Sequence, residues 1–324
     1  MKSIDAIIPV YHPDERLERL LARLESQDTP VRRVHLMDTR LPDGRSTLPE
    51  RILSRAAQED SSPAVRIHPV RREEFDHGGT RRLGASFCED ADYLLFMTQD
   101  AEPADTRLTA ALLAGFGGEE REPSVAAAYA RQLARPGASW EERLTREFNY
   151  PAQTQYRTQA DFLRIGVKAY FCSNVCAMYD GRIYRELGGF VRRTIFNEDM
   201  IYAGTALQAG YAVCYAAEAE VIHSHDYGAL AQFHRNFDLG VSQAEHPEIF
   251  GGARSEGEGF RYVKSMTAAL RRCGAAEELP RFLLRCAFRF IGYRAGRSYR
   301  HLPAALVRRC TMNPGYFRGG EQKS

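Results

Sequence analysis

Apolar and polar positions follow a repeating two-part pattern along the first third of the chain. Ile4–Val10 is an apolar run with β-branched residues, and residues 14–27 then set Leu17, Leu20, Leu21 and Leu24 at helical spacing, predicting a strand followed by an amphipathic helix. The pair recurs as 31–38 with 49–58, 65–70 with 79–88, and 93–98 with 107–116, with turn residues between. Such alternation predicts an α/β fold with an open, mostly parallel Rossmann-like sheet and helices on both faces. Ligands of these sheets bind beyond the carboxyl ends of the strands, which here read Tyr11-His12-Pro13, Asp38-Thr39 and Gln99-Asp100.

From about residue 140 the alternation loosens. Residues 140–150 and 159–166 read as helices, 170–178 as a strand, and 199–209 as a helix opened by Asn197-Glu198-Asp199. Two short strands, 211–216 and 219–222, precede His223-Ser224-His225. Beyond Phe260 the spacing is helical and amphipathic (Tyr262, Met266, Leu270; then Phe282, Leu283, Cys286, Phe290, Ile291). A chain of 324 residues has room for one large core and an appendage. No window reaches the ~18–20 apolar residues of a spanning helix, and the N-terminal run is too short for a secretory leader. The seven cysteines are scattered without a C-x-x-C pair, which points to reduced thiols in the cytoplasm rather than a disulfide framework or a zinc site.

Charge changes this picture. The net +2 conceals an asymmetry: residues 260–324 hold 14 Lys and Arg against 3 Asp and Glu, and residues 1–259 hold 30 against 39. A basic, helical extension therefore follows an acidic body. Its Phe282, Phe288, Phe290, Ile291 and Tyr293, interleaved with Arg281, Arg285, Arg289, Arg294 and Arg297, suit a helix at an anionic membrane surface, or one packed on the body with a basic solvated face. No nucleic-acid motif accompanies these arginines, so nucleic acid is not expected as a partner.

Four segments carry candidate chemistry. Asp100, at the mouth of the strand ending Phe96-Met97-Thr98-Gln99, suits either a turn cap or a ligand of Mg²⁺ or Mn²⁺ against a diphosphate. Glu198 and Asp199 are adjacent carboxylates at a helix start, suited to capping or to general-base work. His223 and His225 point to opposite sides if they lie on a strand, so one would be functional and one packed. In Asp76-His77-Gly78-Gly79-Thr80-Arg81-Arg82, two glycines ahead of a helix would leave N–H groups for a phosphate, with an arginine adding charge. The segment lacks the Gly-Lys-Ser/Thr of a P-loop and the spacing of a dinucleotide fingerprint.

Taken in order, IIPVYHPD, FDHGGTRR, FMTQDAEP, AYARQ, FNYP, SNVCAMY with GGF, NEDM and HSHDY resemble the motifs of glycosyltransferase family two, in its bacterial rhamnosyltransferase branch. The resemblance spans about residues 4–240, and IGYRAGRSYRHLP in the tail is similar as well. It implies a GT-A catalytic domain over 1–259 with a helical basic extension over 260–324. It also implies an inverting transfer of L-rhamnose from dTDP-β-L-rhamnose to a glycan, as a lipid-linked intermediate of cell-surface polysaccharide. Pro9, Tyr11 and Asp38 would line the nucleotide pocket, His77, Arg81 and Gln99 would lie beside the nucleotide sugar, and Asp199 would be the base with Glu198 beside it. Asp100 would hold Mg²⁺ or Mn²⁺ with one of the two histidines, His225 in preference to His223. Thr98 stands where the wider family has a further Asp, and Arg82 where the branch commonly has Asn. The enzyme would be cytoplasmic, or peripheral on the inner face of the membrane. Transfer of a UDP-hexose or galactofuranose, and a non-catalytic sugar-nucleotide-binding module, are the alternatives; no motif names the acceptor or the oligomeric state.

Overall fold

The computed structural model describes residues 2–58, 62–118, 121–225, 227–251 and 256–320; Asp226 of the HSHDY segment and residues 321–324 of the extension lie outside the described residues. The chain forms two compact units. One is Met1–Leu133, Tyr150–Arg192 and Glu198–His223; the other is Ala134–Asn149, Arg193–Asn197 and Ser224–Ser324.

The first unit opens with β1 (Ile4–Val10), α1 (Glu15–Glu25), β2 (Arg33–Thr39), α2 (Glu50–Ala56), β3 (Ala64–Val70), α3 (His77–Ser86) and β4 (Tyr93–Met97). Next come β5 (Glu102–Pro103), α4 (Leu108–Ala114) and β6 (Val125–Leu133), then α5 (Trp140–Asn149) of the second unit. The first unit resumes with β7 (Gln155–Arg157), α6 (Gln159–Ile165), β8 (Cys176–Asp180), α7 (Gly181–Glu186), α8 (Glu198–Gln208) and β9 (Ala212–Ile222). The second is completed by α9 (Ala229–Glu245), α10 (Pro247–Phe250), α11 (Glu256–Arg272), α12 (Leu279–Arg297) and α13 (Ala304–Cys310).

The strands form one sheet in the order β3-β2-β1-β4-β8-β6-β9-β5, with β7 paired to β9. Its first four strands are parallel, as the alternation predicts, whereas β8 runs antiparallel to both β4 and β6. Strand β1 shows why helices cover both faces. Ile4, Ala6, Ile8 and Val10 join Leu17, Leu20, Leu21 and Leu24 of α1 in one core, while Ile7 meets Gly84 of α3, where an added Cβ would lie 2.3 Å from the Ile7 side chain.

The strand expected at 170–178 begins only at Cys176, because Tyr170 and Cys172 are buried in a 3-10 turn and the loop after it. The two short strands expected over 211–222 are one strand, β9, whose register against β6 slips between Ala130 and Arg131.

In the second unit α9 and α12 meet through backbone. A Cβ on Gly296 would lie 2.0 Å from the Phe237 carbonyl oxygen, one on Gly292 2.3 Å from that of Phe233, and one on Gly240 2.5 Å from that of Tyr293. The same helix turns Phe282 into the core and pairs buried Arg285 with buried Glu141 of α5 at 2.9 Å, while Arg289 donates to the Tyr262 hydroxyl at 3.2 Å. Phe282, Arg285 and Arg289, grouped by sequence with a membrane-facing set, are therefore inward contacts of this unit. Gly296→Ala should destabilise the fold by the ~1–3 kcal/mol of an overpacked core, seen as a lower thermal unfolding midpoint, whereas Gly259→Ala, with open space around it, should leave the midpoint unchanged.

Candidate active site

Strand order reverses between β1 and β4, so their carboxyl ends diverge into a crevice. Pairing of β1 with β4 ends at Ile7 and Phe96, ahead of Pro9, which has no N–H to donate. Beyond it a side chain replaces the ladder: the Tyr11 N–H donates to Gln99 Oε1 at 2.9 Å, and Gln99 Nε2 donates to the Tyr11 carbonyl at 3.1 Å. The Tyr11 ring lies under the Arg72 guanidinium, 4.4 Å from its centroid. On the neighbouring strand Asp38 is buried. Its Oδ2 accepts from Ser46 at 2.6 Å and pairs with Arg40 at 3.0 Å, and its Oδ1 has no hydrogen-bond partner among the described residues.

Strand β5 carries Asp100 toward the end of β9, because Glu102 pairs with Ile222 in antiparallel register. Asp100 Oδ1 lies 3.7 Å from His223 Nε2, and its Oδ2 lies 3.5 Å from Arg16 Nη1. His223 Nδ1 is 3.0 Å from Gln132 Oε1, and Gln132 Nε2 donates to Ser173 Oγ at 3.0 Å. An amide oxygen only accepts, so Gln132 takes the Nδ1–H of His223 and fixes the ring with Nε2 facing Asp100; in the neutral imidazole Nε2 is then the nitrogen that carries the lone pair. A carboxylate and an imidazole nitrogen so placed suit a divalent cation such as Mn²⁺. His225 follows two residues later in the second unit, its ring 4.9 Å from that of Tyr227.

The glycines do not form a free phosphate loop. They lie inside the first turn of α3, which begins at His77, and the Gly79 N–H is taken by the capping Asp76 carboxylate at 2.8 Å. Arg81 projects from this turn into the interior, where it pairs with Glu198 at 3.2 Å, and it also donates to the His77 carbonyl at 3.2 Å. Arg82 donates to the carbonyls of Gly188 and Phe190, the latter at 2.8 Å, joining α3 to the Gly188-Gly189-Phe190 turn.

Glu198 and Asp199, at the start of α8, are held by one residue. Asn174 donates its side-chain N–H to Glu198 at 3.0 Å and its backbone N–H to Asp199 at 2.9 Å, and accepts from the Tyr179 hydroxyl at 2.8 Å. Below them Tyr179 meets Tyr202 and Phe96 edge to face at 5.1 and 5.4 Å, an apolar floor that fixes α8 on the sheet. The two acids differ in kind. Glu198 is buried; that burial opposes its charge, but Arg81, His77 and the Asn174 hydrogen bond outweigh it and hold its carboxyl below the usual range. Asp199 keeps part of its surface open, and burial followed by the charge of Glu198 pushes it up to about 7. A carboxylate with that affinity can accept a proton near neutrality.

No protein-family model matches the chain. It is 34% identical over 325 residues to the O-antigen chain rhamnosyltransferase RfbN of Salmonella typhimurium, covering 99% of this chain and 98% of that protein. The chain belongs to the O-antigen rhamnosyltransferase family. With WbaN of Salmonella anatum, another O-antigen chain rhamnosyltransferase, it shares 38% identity over 254 residues, 78% of each chain. Among solved structures it is similar to the mannosyltransferase PcManGT of Pyrobaculum calidifontis, determined with GDP-Man and Mn²⁺, at a TM-score of 0.54 and 17% identity over 99% of this chain and 88% of that one. S. aureus TarS in complex with UDP-GlcNAc gives a TM-score of 0.52 at 14% identity over 93% and 92%. The chain is a glycosyltransferase of GT-A-like fold.

In this glycosyltransferase Gln132 and Asn174 are residues that sequence motifs contained, within AYARQ and SNVCAMY, but did not single out. Their signal is an amide inside an otherwise apolar strand or turn, where a buried polar group needs partners. Arg81→Gln would leave the Glu198 charge buried without its cation and should cost about 3–5 kcal/mol in urea unfolding. Arg81→Gln combined with Glu198→Gln should recover part of that loss.

Proposed function

We propose that this glycosyltransferase moves L-rhamnose from dTDP-β-L-rhamnose to a hydroxyl of a lipid-linked glycan in cell-surface polysaccharide synthesis. The observation that carries the chemistry is the unequal acid pair, one carboxylate neutralised by Arg81 and the other, Asp199, partly open with its proton affinity raised toward neutrality. In this reading Asp199 takes the proton of the acceptor hydroxyl as its oxygen bonds to the anomeric carbon. The bond from that carbon to the diphosphate breaks on the opposite face, so a β-linked donor gives an α-L-rhamnoside. Glu198 keeps Arg81 and Asn174 in place and raises the affinity of Asp199 for the proton.

Gln99 and Pro9 shape the crevice for the nucleotide, Tyr11 with Arg72 offers it a stacked surface, and Asp38 Oδ1, which has no hydrogen-bond partner among the described residues, would accept the N–H of a thymine base. His77 and Arg81 order the wall beside the sugar. Asp100 and His223 would hold Mg²⁺ or Mn²⁺, and His225 is the further ligand that the family resemblance implies. The ion would neutralise charge on the leaving diphosphate.

Asp199→Asn should cut turnover by the ~10²–10⁴ of a lost general base while calorimetry shows thymidine diphosphate still bound. Near-normal turnover in this variant would refute the assignment. In a thermal-shift series with Mn²⁺, dTDP-L-rhamnose should raise the unfolding midpoint more than UDP-linked hexoses do; the reverse order would overturn the donor.

A further inference from the structure

Helix α12 has two unlike faces. Its buried face is Phe282, Arg285, Gly292 and Gly296, the side that receives α9 and the Glu141 pair. The opposite side is apolar and open: Leu283 is 47%, Leu284 52%, Phe290 61% and Ile291 55% exposed, with Ala287 exposed between them. At 3.6 residues per turn these five fall within an arc of about 120°, a continuous stripe rather than scattered surface residues. Exposed Arg281 and Arg297 border the stripe and exposed Arg294 closes its C-terminal end.

We propose that this face of α12 is a membrane-docking surface that rests on anionic phospholipid. Charge selects the occupant. Residues 279–320 contain nine arginines and no Asp or Glu, so a second copy docked symmetrically on the stripe would bring arginine against arginine with no carboxylate from that region to separate them. Anionic headgroups are attracted by the net positive charge of this region, and long arginine stems let guanidinium groups reach them while Phe290 and its apolar neighbours enter the acyl boundary. Among the described residues no helix is long and apolar enough to cross a membrane, so the stripe is a surface contact and not a span. The inference rests on the proposed lipid-linked acceptor for its purpose only; the surface itself is read from α12.

The test is flotation of the full-length protein with vesicles of phosphatidylcholine, alone or containing one-third phosphatidylglycerol, at low and high salt. The protein should bind the anionic vesicles at low salt, release at high salt and bind phosphatidylcholine weakly. Phe290→Ser with Ile291→Ser should weaken partitioning by ~tenfold or more, and Arg281→Gln with Arg297→Gln by about fivefold per arginine. Circular dichroism should show both variants folded, and both should bind thymidine diphosphate with Mn²⁺ like the parent. Absence of binding to anionic vesicles at low salt, or undiminished binding by the Phe290/Ile291 variant, would overturn the proposal. So would self-association in sedimentation velocity that this variant abolishes, which would assign the stripe to a second copy. Vesicle binding lost with nucleotide binding intact removes the docking surface alone; the converse removes the donor-site reading and leaves the surface standing.

Discussion

Holding two adjacent carboxylates at one helix start, Glu198 buried and Asp199 partly buried, is the constraint around which the first unit is organised. Ionised acids taken out of water cost several kcal/mol each unless paired and hydrogen-bonded, and two side by side also repel. The first is satisfied by Arg81 from α3 and by the side chain of Asn174; the second, among the described residues, accepts from the backbone N–H groups of Asn174 and Met200. That asymmetry separates the two proton affinities. It also explains why α3 must pack against the Gly188–Phe190 turn, since Arg82 anchors there the helix that delivers Arg81. The aromatic rings under Asn174 make the same point from below, because Tyr179 spends its hydroxyl on that amide and its ring on Tyr202 and Phe96.

Much of this was legible in the chain. Leucines at helical spacing after a β-branched run identify β1 and α1 because burial needs them on one face, and the polar residues after β1, β2 and β4 lie at strand ends as an open sheet requires. Other parts were illegible for physical reasons. Helix α9 buries Gln232, Asp238, Ser242 and Gln243, so its buried face does not read as apolar. Strand β6 has alanine at four of its nine positions, which suits helix propensity as well as a crowded sheet. The antiparallel direction of β8 depends on pairing with β4 and β6, contacts that no local pattern encodes. The glycines of Asp76-His77-Gly78-Gly79 suggested an open loop, yet Gly79 lets the helix approach the Arg192 carbonyl, 2.7 Å from where a Cβ would be.

Helix α12 illustrates how a pattern can mislead in both directions. Hydrophobicity marks its outer face and glycine its inner one, the inverse of an ordinary amphipathic helix, because contact with α9 is made by backbone rather than by large side chains. The arginines divide likewise: Arg285 is consumed by Glu141 and Arg289 leans on Tyr262, whereas Arg281, Arg294 and Arg297 are exposed. The charge asymmetry along the chain thus resolves into arginines turned inward and arginines on the surface of the second unit.

The central claim is that burial, and after it the charge of Glu198, raises the proton affinity of Asp199 so that the latter serves as the base. The most direct measurement is the pH dependence of kcat/KM for the parent and for Glu198→Gln. Rate should rise with pH as Asp199 ionises, with an acid limb near pH 7 in the parent that moves to lower pH once the neighbouring charge is removed. An acid limb at the ordinary aspartate value of about 4 in the parent, or one unmoved in Glu198→Gln, would contradict the account.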